Sequence, residues 1–488
     1  MRALHLLLAA AALLALGACS DQDSGAVAVS VIGDREDLTK PLPNLPDPGA
    51  KLILEATAQG LVAFDASGEI LPALAQRWIV EDDGRSYIFR LRRATWPGGE
   101  RVTSKEVARI LEARIETLRR LDPEGPLDTV EAVVPMTGEV IEIRLAAARP
   151  MLLQMLAQPQ MAILSRDGGT GPYRAGRWGA ATLLTPADIH TDENGDPLPV
   201  PPRDTRLLRA ERAALAIVRF REGGTALVLG GRYSDLPMLL RARIDQDDIR
   251  IDPVQGLLGL AITGTGDFFD DAAVREAISM AIDRSALPEA FGLGRWAVGD
   301  QLVPQQLDLP RAPTPARWTE LDMESRRVEA RAAIDRWRGA GGGAPPVLRV
   351  ALPPGAGSTL LFGMIAADLR AIGLAARRVP MAANADLRLV DEVAAYDSAI
   401  WYLGRIGCAR KVHCDAAAEA KLQEASLAST PEDRAARLAE AEAMTVAHNG
   451  YVPLGQPVRW SLVSRRLEGF TPSPRARHPL NLLLRRPN

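Results

Sequence analysis

At 488 residues the chain is too long for one hydrophobic core, so two or three lobes are expected. Its 47% hydrophobic and 24% charged residues describe a globular protein and exclude a disordered polymer. The formal net charge is −3, or about −4 once Arg2 leaves with a leader, so no nucleic-acid partner is expected.

The chain opens on Arg2, an apolar run from Leu6 to Leu16 and then small residues. That pattern predicts a secretory signal over 1–18, too short to span a membrane. Leu16-Gly17-Ala18-Cys19 reads as a bacterial lipobox, with cleavage before Cys19 and lipid on its sulfur. Two or three acyl chains give stable anchoring, so the membrane is a partner through the N-terminal lipid. The anchor places the chain on the periplasmic side of the envelope, with the choice of inner or outer membrane open. Residues 19–27 read as a tether. No later apolar run reaches spanning length. With Cys19 lipidated, Cys408 and Cys414 remain as an even pair in an exported chain, which predicts a disulfide. A metal set from Cys408, His413 and Cys414 lacks a fourth ligand, so no metal and no other cofactor is expected.

Val27 to Gly33 reads as a first strand, and a helical or turn segment over Leu52–Gly60 leads to Leu61–Asp65, a tight turn at Ala66-Ser67-Gly68 and then Ile70–Ala75. Asp83-Gly84 between two alternating runs, Trp78–Val80 and Ser86–Leu91, predicts a hairpin. Thr103-Ser104-Lys105-Glu106 fits a capping box ahead of a helix with Val107, Ile110, Leu111, Ile115 and Leu118 on one face. Val140–Leu145 alternates as a strand and Met151–Ala157 reads as an apolar helix. Gly169-Thr170-Gly171-Pro172-Tyr173 is not a phosphate loop, because Pro172 removes a donor and no Lys-Ser/Thr follows. Residues 186–205 read as an exposed loop, Arg209–Phe220 as a helix and Gly223–Gly231 as a strand. Asp270 or Asp271 should cap a helix carrying Val274, Ala277, Ile278, Ala281 and Ile282. A helix is expected over Asp322–Ala340, stopped by Gly341-Gly342-Gly343. Val347–Leu352, Thr359–Ala371 and Leu374–Val379 form a βαβ unit. Asp397–Trp401 reads as a strand, and Thr430-Pro431 opens a long helix.

Two stretches resemble the family 5 extracytoplasmic solute-binding proteins of ABC importers, the oligopeptide, dipeptide and nickel type. One runs through Leu61, Val62, Phe64, Asp65, Gly68, Ile70, Pro72, Leu74, Ala75, Trp78, Asp82, Asp83, Gly84, Tyr87, Phe89, Leu91, Arg92, Gly99, Val102, Thr103 and Val107. The other is Asp270-Asp271-Ala272-Ala273-Val274-Arg275, ending in Ala281-Ile282-Asp283-Arg284. The resemblance implies an α/β fold of the periplasmic binding protein class II (type C). Two main lobes would be joined by a two-strand hinge, with a third smaller domain. Mapped onto this chain, it implies lobe I over 28–60, 166–265 and 455–488, an extra domain over 61–165, and lobe III over 266–454. The hinge would lie near Thr263–Phe269 and Val452–Arg459. It also implies a monomer working with permease and ATPase subunits on separate chains.

Catalytic patterns are missing: there is no G-x-S-x-G elbow, no H-E-x-x-H, no Ser-x-x-Lys and no P-loop. A binding protein rather than an enzyme is therefore expected, capturing a small solute, peptide-like or anionic. The alternative is a binding-fold lipoprotein serving as a ligand sensor or envelope scaffold without transport. By resemblance the pocket is lined from the segment around Gly169–Tyr173 and from the stretch after Trp401, giving Tyr173, Trp401, Tyr402, Arg405 and Arg410 as ligand contacts. Peptide-binding members carry a carboxylate in that last stretch. Here Arg405, Arg410 and Lys411 stand in it instead, with no acid before Asp415, which favours an anionic ligand.

Overall fold

A computed structural model describes residues 25–39, 47–121, 127–188, 190–305 and 307–485. The expected signal and Cys19, the expected site of lipid, lie outside the described residues. Among those residues, no helix is long and apolar enough to cross a membrane.

The first sheet has seven strands, in the order Tyr173–Trp178, Ala181–Pro186, Arg206–Glu211, Val27–Ile32, Leu227–Arg232, Arg459–Val463 and Ile249–Ile251. Val27–Ile32 sits near its middle and pairs in parallel on both sides. A strand so placed is covered on both faces: Val27, Val29 and Val31 are buried on one face and Ser30 on the other. The buried hydroxyl of Ser30 donates to Glu211 Oε1 at 2.5 Å, so the one polar side chain there has a partner. The expected helix over Arg209–Phe220 is corrected. Arg206–Glu211 is a strand, and the helix runs only over Ala213–Arg221. The strand is set by register with Val27–Ile32, a long-range pairing that local propensity does not reveal.

The second sheet has five strands: Ala376–Val379, Leu348–Ala351, Leu387–Val393, Gly256–Ile262 and Tyr451–Gly455. Leu348–Ala351 lies parallel to Ala376–Val379, and helix Ala356–Ala371 makes the crossover between them. Gly256–Ile262 is buried along its whole length. A third, antiparallel sheet joins Ala75–Glu81, Ser86–Leu91, Val140–Leu145 and Val130–Thr137, and helix Ser104–Leu121 packs on it.

The chain passes between the seven- and five-stranded sheets twice. One crossing falls between Ile249–Ile251 and Gly256–Ile262, and the other between Tyr451–Gly455 and Arg459–Val463. Gln456 ties them together, accepting from the Gly256 amide at 2.9 Å. The first crossing therefore precedes the expected Thr263–Phe269. Thr263 lies past the far end of the strand, its amide on the Asp386 carbonyl at 2.8 Å. The strand Gly256–Ile262, although inside the 166–265 segment expected for lobe I, pairs in the five-stranded sheet. Thr263-Gly264 does break an apolar run, but the run is one strand of the next lobe and not the connection to it. Beside the crossings, buried Asp252 accepts from the Ser473 amide at 2.8 Å and meets His478 Nε2 at 3.1 Å.

Candidate functional site at the seam between the two large sheets

The lobes meet where the crossings emerge. Arg459 opens its strand at the second crossing, and Asp391 lies on the facing strand Leu387–Val393. Arg459 Nη1 donates to Asp391 Oδ1 at 2.8 Å, and Nη2 to the Asp391 carbonyl at 3.1 Å. Both side chains are buried, so each charge depends on the other. A second tie joins the Tyr233 hydroxyl and Ser358 Oγ at 2.9 Å. Burial pushes the Tyr233 phenol well above its ordinary range. Glycine makes this approach possible. A Cβ on Gly357, at the start of helix Ala356–Ala371, would lie 2.2 Å from the Tyr233 carbonyl oxygen. Arg475 adds a third tie, donating to the Ala394 carbonyl at 2.9 Å.

On the seven-stranded side, helix Pro48–Thr57 brings Lys51 and Glu55 to the same face, four residues apart. Glu55 pairs with Arg477 at 2.7 Å. The Lys51 ammonium is pulled down to about 8, first by burial, then by Arg232 and Arg459. Burial likewise lowers Arg232, with Arg459 adding to it. Asp235, at the same edge, is raised by burial.

The residues expected to line the pocket do not sit at this seam. Tyr173 is buried in the core of the seven-stranded sheet; its hydroxyl donates to the Leu480 carbonyl at 3.3 Å and its ring lies under Arg206. Glycines of the Gly169–Gly171 turn serve packing: a Cβ on Gly171 would stand 2.3 Å from the Thr57 carbonyl carbon. The expected strand over Asp397–Trp401 is instead helix Ala399–Arg405. Asp308 fixes its start, accepting from Ser398 Oγ at 2.6 Å and from the Ala399 amide at 2.7 Å. Trp401 and Tyr402 on that helix are both buried in the core shared with the four-stranded unit, in edge-to-face contact at 4.9 Å. Arg405 pairs with Glu392 at 2.9 Å and lies over the Trp401 ring. Arg410 sits in a short turn, with Lys411 in the left-handed region after it. These cations share a helix end and turn, and Arg405 already has a carboxylate.

Cys408 and Cys414 are joined in a disulfide. No group of three or more His, Cys, Asp or Glu residues suited to a metal occurs among the described residues. An open groove of about 640 Å³ lies on the four-stranded unit, between Trp96, Glu106, Arg109, Arg114 and Asp167. The large sheets contribute nothing to its lining. Sequence reasoning missed Lys51, Arg232, Arg459 and Asp391. Only Lys51 carried a signal, as a lone cation in the apolar run Ala50-Lys51-Leu52-Ile53-Leu54.

Comparison with known proteins agrees with this architecture. The chain is 26% identical over 383 residues to a di/tripeptide-binding protein 3 of Pseudomonas aeruginosa, covering 65% of each chain. It is 23% identical over 333 residues to the nickel-binding periplasmic protein of Escherichia coli, covering 62% of this chain and 59% of that one. The chain thus matches less than two thirds of the length of these curated relatives. Haemophilus influenzae OppA, solved in complex with RPPGFSPFR, shares the fold with a TM-score of 0.75 at 14% identity, over 95% of this chain and 99% of that one. The family model for bacterial extracellular solute-binding proteins, family 5 (middle), matches residues 69–402, more than half of the chain. The chain belongs to that family, whose members are binding proteins and not enzymes.

Proposed function

We propose that this protein is the substrate-binding component of an ABC importer, anchored in the envelope by lipid on Cys19, and that it captures a small solute at the seam between its two large sheets. Lobe I is the seven-stranded sheet with its helices, lobe III the five-stranded sheet, and the four-stranded unit is the extra domain. The observation that carries the reading is the pair of crossings at 252–255 and 456–458. Two short, adjacent connections let the lobes rotate about one line. A solute touching both lobes favours the shut arrangement, because only there are both sets of contacts made. A permease then reads the shut form and receives the solute.

Native mass spectrometry of protein recovered from the envelope, paired with small-angle scattering before and after ligand removal, tests this. A co-purified small molecule whose removal enlarges the radius of gyration is expected. An unchanged profile with no bound molecule breaks the reading. Uptake of that molecule should fail in cells lacking this chain if delivery to a permease is correct. A Cys19→Ala chain should leave the membrane fraction, and its retention there removes the lipid anchor.

A further inference from the structure

Four cations converge where helix Pro48–Thr57, the end of strand Leu227–Arg232 and the start of strand Arg459–Val463 meet. Arg232 and Arg459 are direct cross-strand partners. Like charges in that position repel. The local sequence enforces the crowding. A Cβ on Gly230 would sit 3.2 Å from Pro48, and one on Gly231 would be 2.1 Å from the Trp460 ring. The two glycines let the helix start and the Trp460 strand press onto this one, bringing Arg232 toward Lys51.

Two of the four cations are neutralised, Arg459 by Asp391 at 2.8 Å and Arg477 by Glu55 at 2.7 Å. The other two are not. Neither the Lys51 ammonium nor the Arg232 guanidinium has a hydrogen bond or ion pair among the described residues. Of the acids near Arg232, Asp391 is held by Arg459, while Asp235 accepts from Ser234 Oγ at 3.2 Å and Asp47 precedes the helix.

The contrast with the structural arginines is direct. Buried Arg206 donates to the carbonyls of Leu480, Leu483 and Arg203. Buried Arg284 donates to those of Pro453, Ser279 and Ile282. Arg275 donates to those of Phe269 and His448. Around each of these three guanidinium groups, backbone carbonyls supply the partners. Around Arg232 they do not. Half-buried cations without partners cost stability, and a site that keeps two close enough to depress one of them is arranged for a missing anion.

We propose that Lys51 and Arg232 hold an oxyanion of the captured solute, a carboxylate or phosphoryl group, at the seam. This rests on the solute-binding reading above and adds the chemical class to it. The guanidinium supplies a planar two-point fork and the ammonium a compact charge beside it. Both come from the seven-stranded side. Because Arg459 reaches Asp391 on the other lobe from the neighbouring strand position, an anion that relieves the Arg232–Arg459 repulsion also favours the closing brace.

The test uses the mature chain stripped of co-purified ligand, with inorganic phosphate, citrate, the dipeptide Ala-Ala and its C-terminal amide as probes. Calorimetry and thermal melts are read for wild type, Lys51→Met, Arg232→Gln and Lys51→Arg. At least one oxyanion probe should raise the Tm of wild type, with the amidated dipeptide giving no shift. Affinity should fall about tenfold or more in Lys51→Met and Arg232→Gln, and be kept largely in Lys51→Arg. The ligand-free Tm of the two neutral variants should equal or exceed that of wild type. No shift with any oxyanion probe overturns the proposal. So does equal binding by the variants, or a ligand-free Tm lowered by Lys51→Met, which marks a structural cation. A neutral or cationic co-purified solute that closes wild type and both neutral variants alike sinks the oxyanion while leaving solute binding intact. Absence of any ligand-dependent closure removes solute binding itself.

Discussion

The five-stranded lobe makes two contacts of different character. Against the four-stranded unit it shares one apolar core, in which Tyr396, Trp401, Tyr402 and Leu403 are packed with Leu152, Met155, Leu156 and Ile163. Long polar side chains at this contact are aimed at backbone. Arg434 donates to the Ala148 carbonyl at 3.0 Å and Gln158 to the Ala395 carbonyl at 2.5 Å. Against the seven-stranded sheet the lobe also meets apolar groups around Tyr233 and Leu236, but charge dominates near the crossings, with Arg459, Asp391, Arg475, Arg232 and Lys51. Separating the first contact exposes hydrocarbon, at roughly 25 cal/mol per Å². Separating the second near the crossings exposes ions that water solvates readily. Movement should therefore occur at the charged seam, and the apolar contact should behave as part of the fold.

The strongest way to break that contrast is to cut into the apolar contact. Tyr402→Ala removes a ring with 1% of its surface exposed. It should cost about 3–5 kcal/mol in denaturant unfolding. A loss below about 1 kcal/mol would mean that the two units do not share a core, and the seam would lose its claim to be the moving joint.

At the seam, Asp391→Asn strands Arg459 between the lobes. Removing one member of a buried pair costs about 3 kcal/mol. Here much of that cost should be avoided by opening, because an open seam hydrates Arg459. The expected result is a larger radius of gyration by scattering, with a smaller loss in global stability than Tyr402→Ala produces. A compact variant with the full stability loss would show that the seam is as fixed as the core.

A third substitution sharpens the comparison by staying inside the five-stranded lobe. The Cys408–Cys414 bridge closes a short loop, with a sequence separation of 6. Replacing both cysteines by alanine should cost about 2 kcal/mol by the loop-entropy argument. Ligand affinity should not change, since the bridge constrains a turn and touches neither lobe contact. An altered affinity would make the Cys408–Arg410 turn part of the site after all.

What the sequence disclosed divides along the same line. Local devices were legible. The hairpin around Asp82-Asp83-Gly84 is made by three residues at positive φ, and Asp-Gly is the residue pair such a turn favours. Asp271 and Thr430 cap their helices through side-chain oxygens. Long-range devices were not legible. Helix Ala399–Arg405 begins where Asp308, some 90 residues upstream, holds Ser398, a partner that the expected strand over Asp397–Trp401 could not take into account. Arg405 looked free because Glu392 is its partner only after the lobe folds. Lys51, Arg232 and Arg459 meet only when a helix, a strand end and a crossing come together. No motif in any one segment announces that meeting.

The smallest predicted effect isolates the seam by titration. Lys51 has an ordinary value of 10.5 and is lowered to about 8 in the folded chain. Between those values the unfolded chain binds more protons at this residue than the folded chain does. Stability therefore rises with pH in that window, because the neutral amine is the form that burial and the neighbouring arginines tolerate. Below pH 8 the folded chain carries the penalty in full; above about 10.5 it is relieved. The half-buried position of Lys51 limits the gain to about 1–2 kcal/mol. Other groups titrate in the same range, so the informative quantity is the difference between wild type and Lys51→Met. Their unfolding free energies should converge as pH climbs from 8 to 10, with wild type the less stable at pH 8. Parallel curves would mean that Lys51 is charged and comfortable throughout, and the charged seam would then be a set of satisfied ion pairs like any other part of the fold.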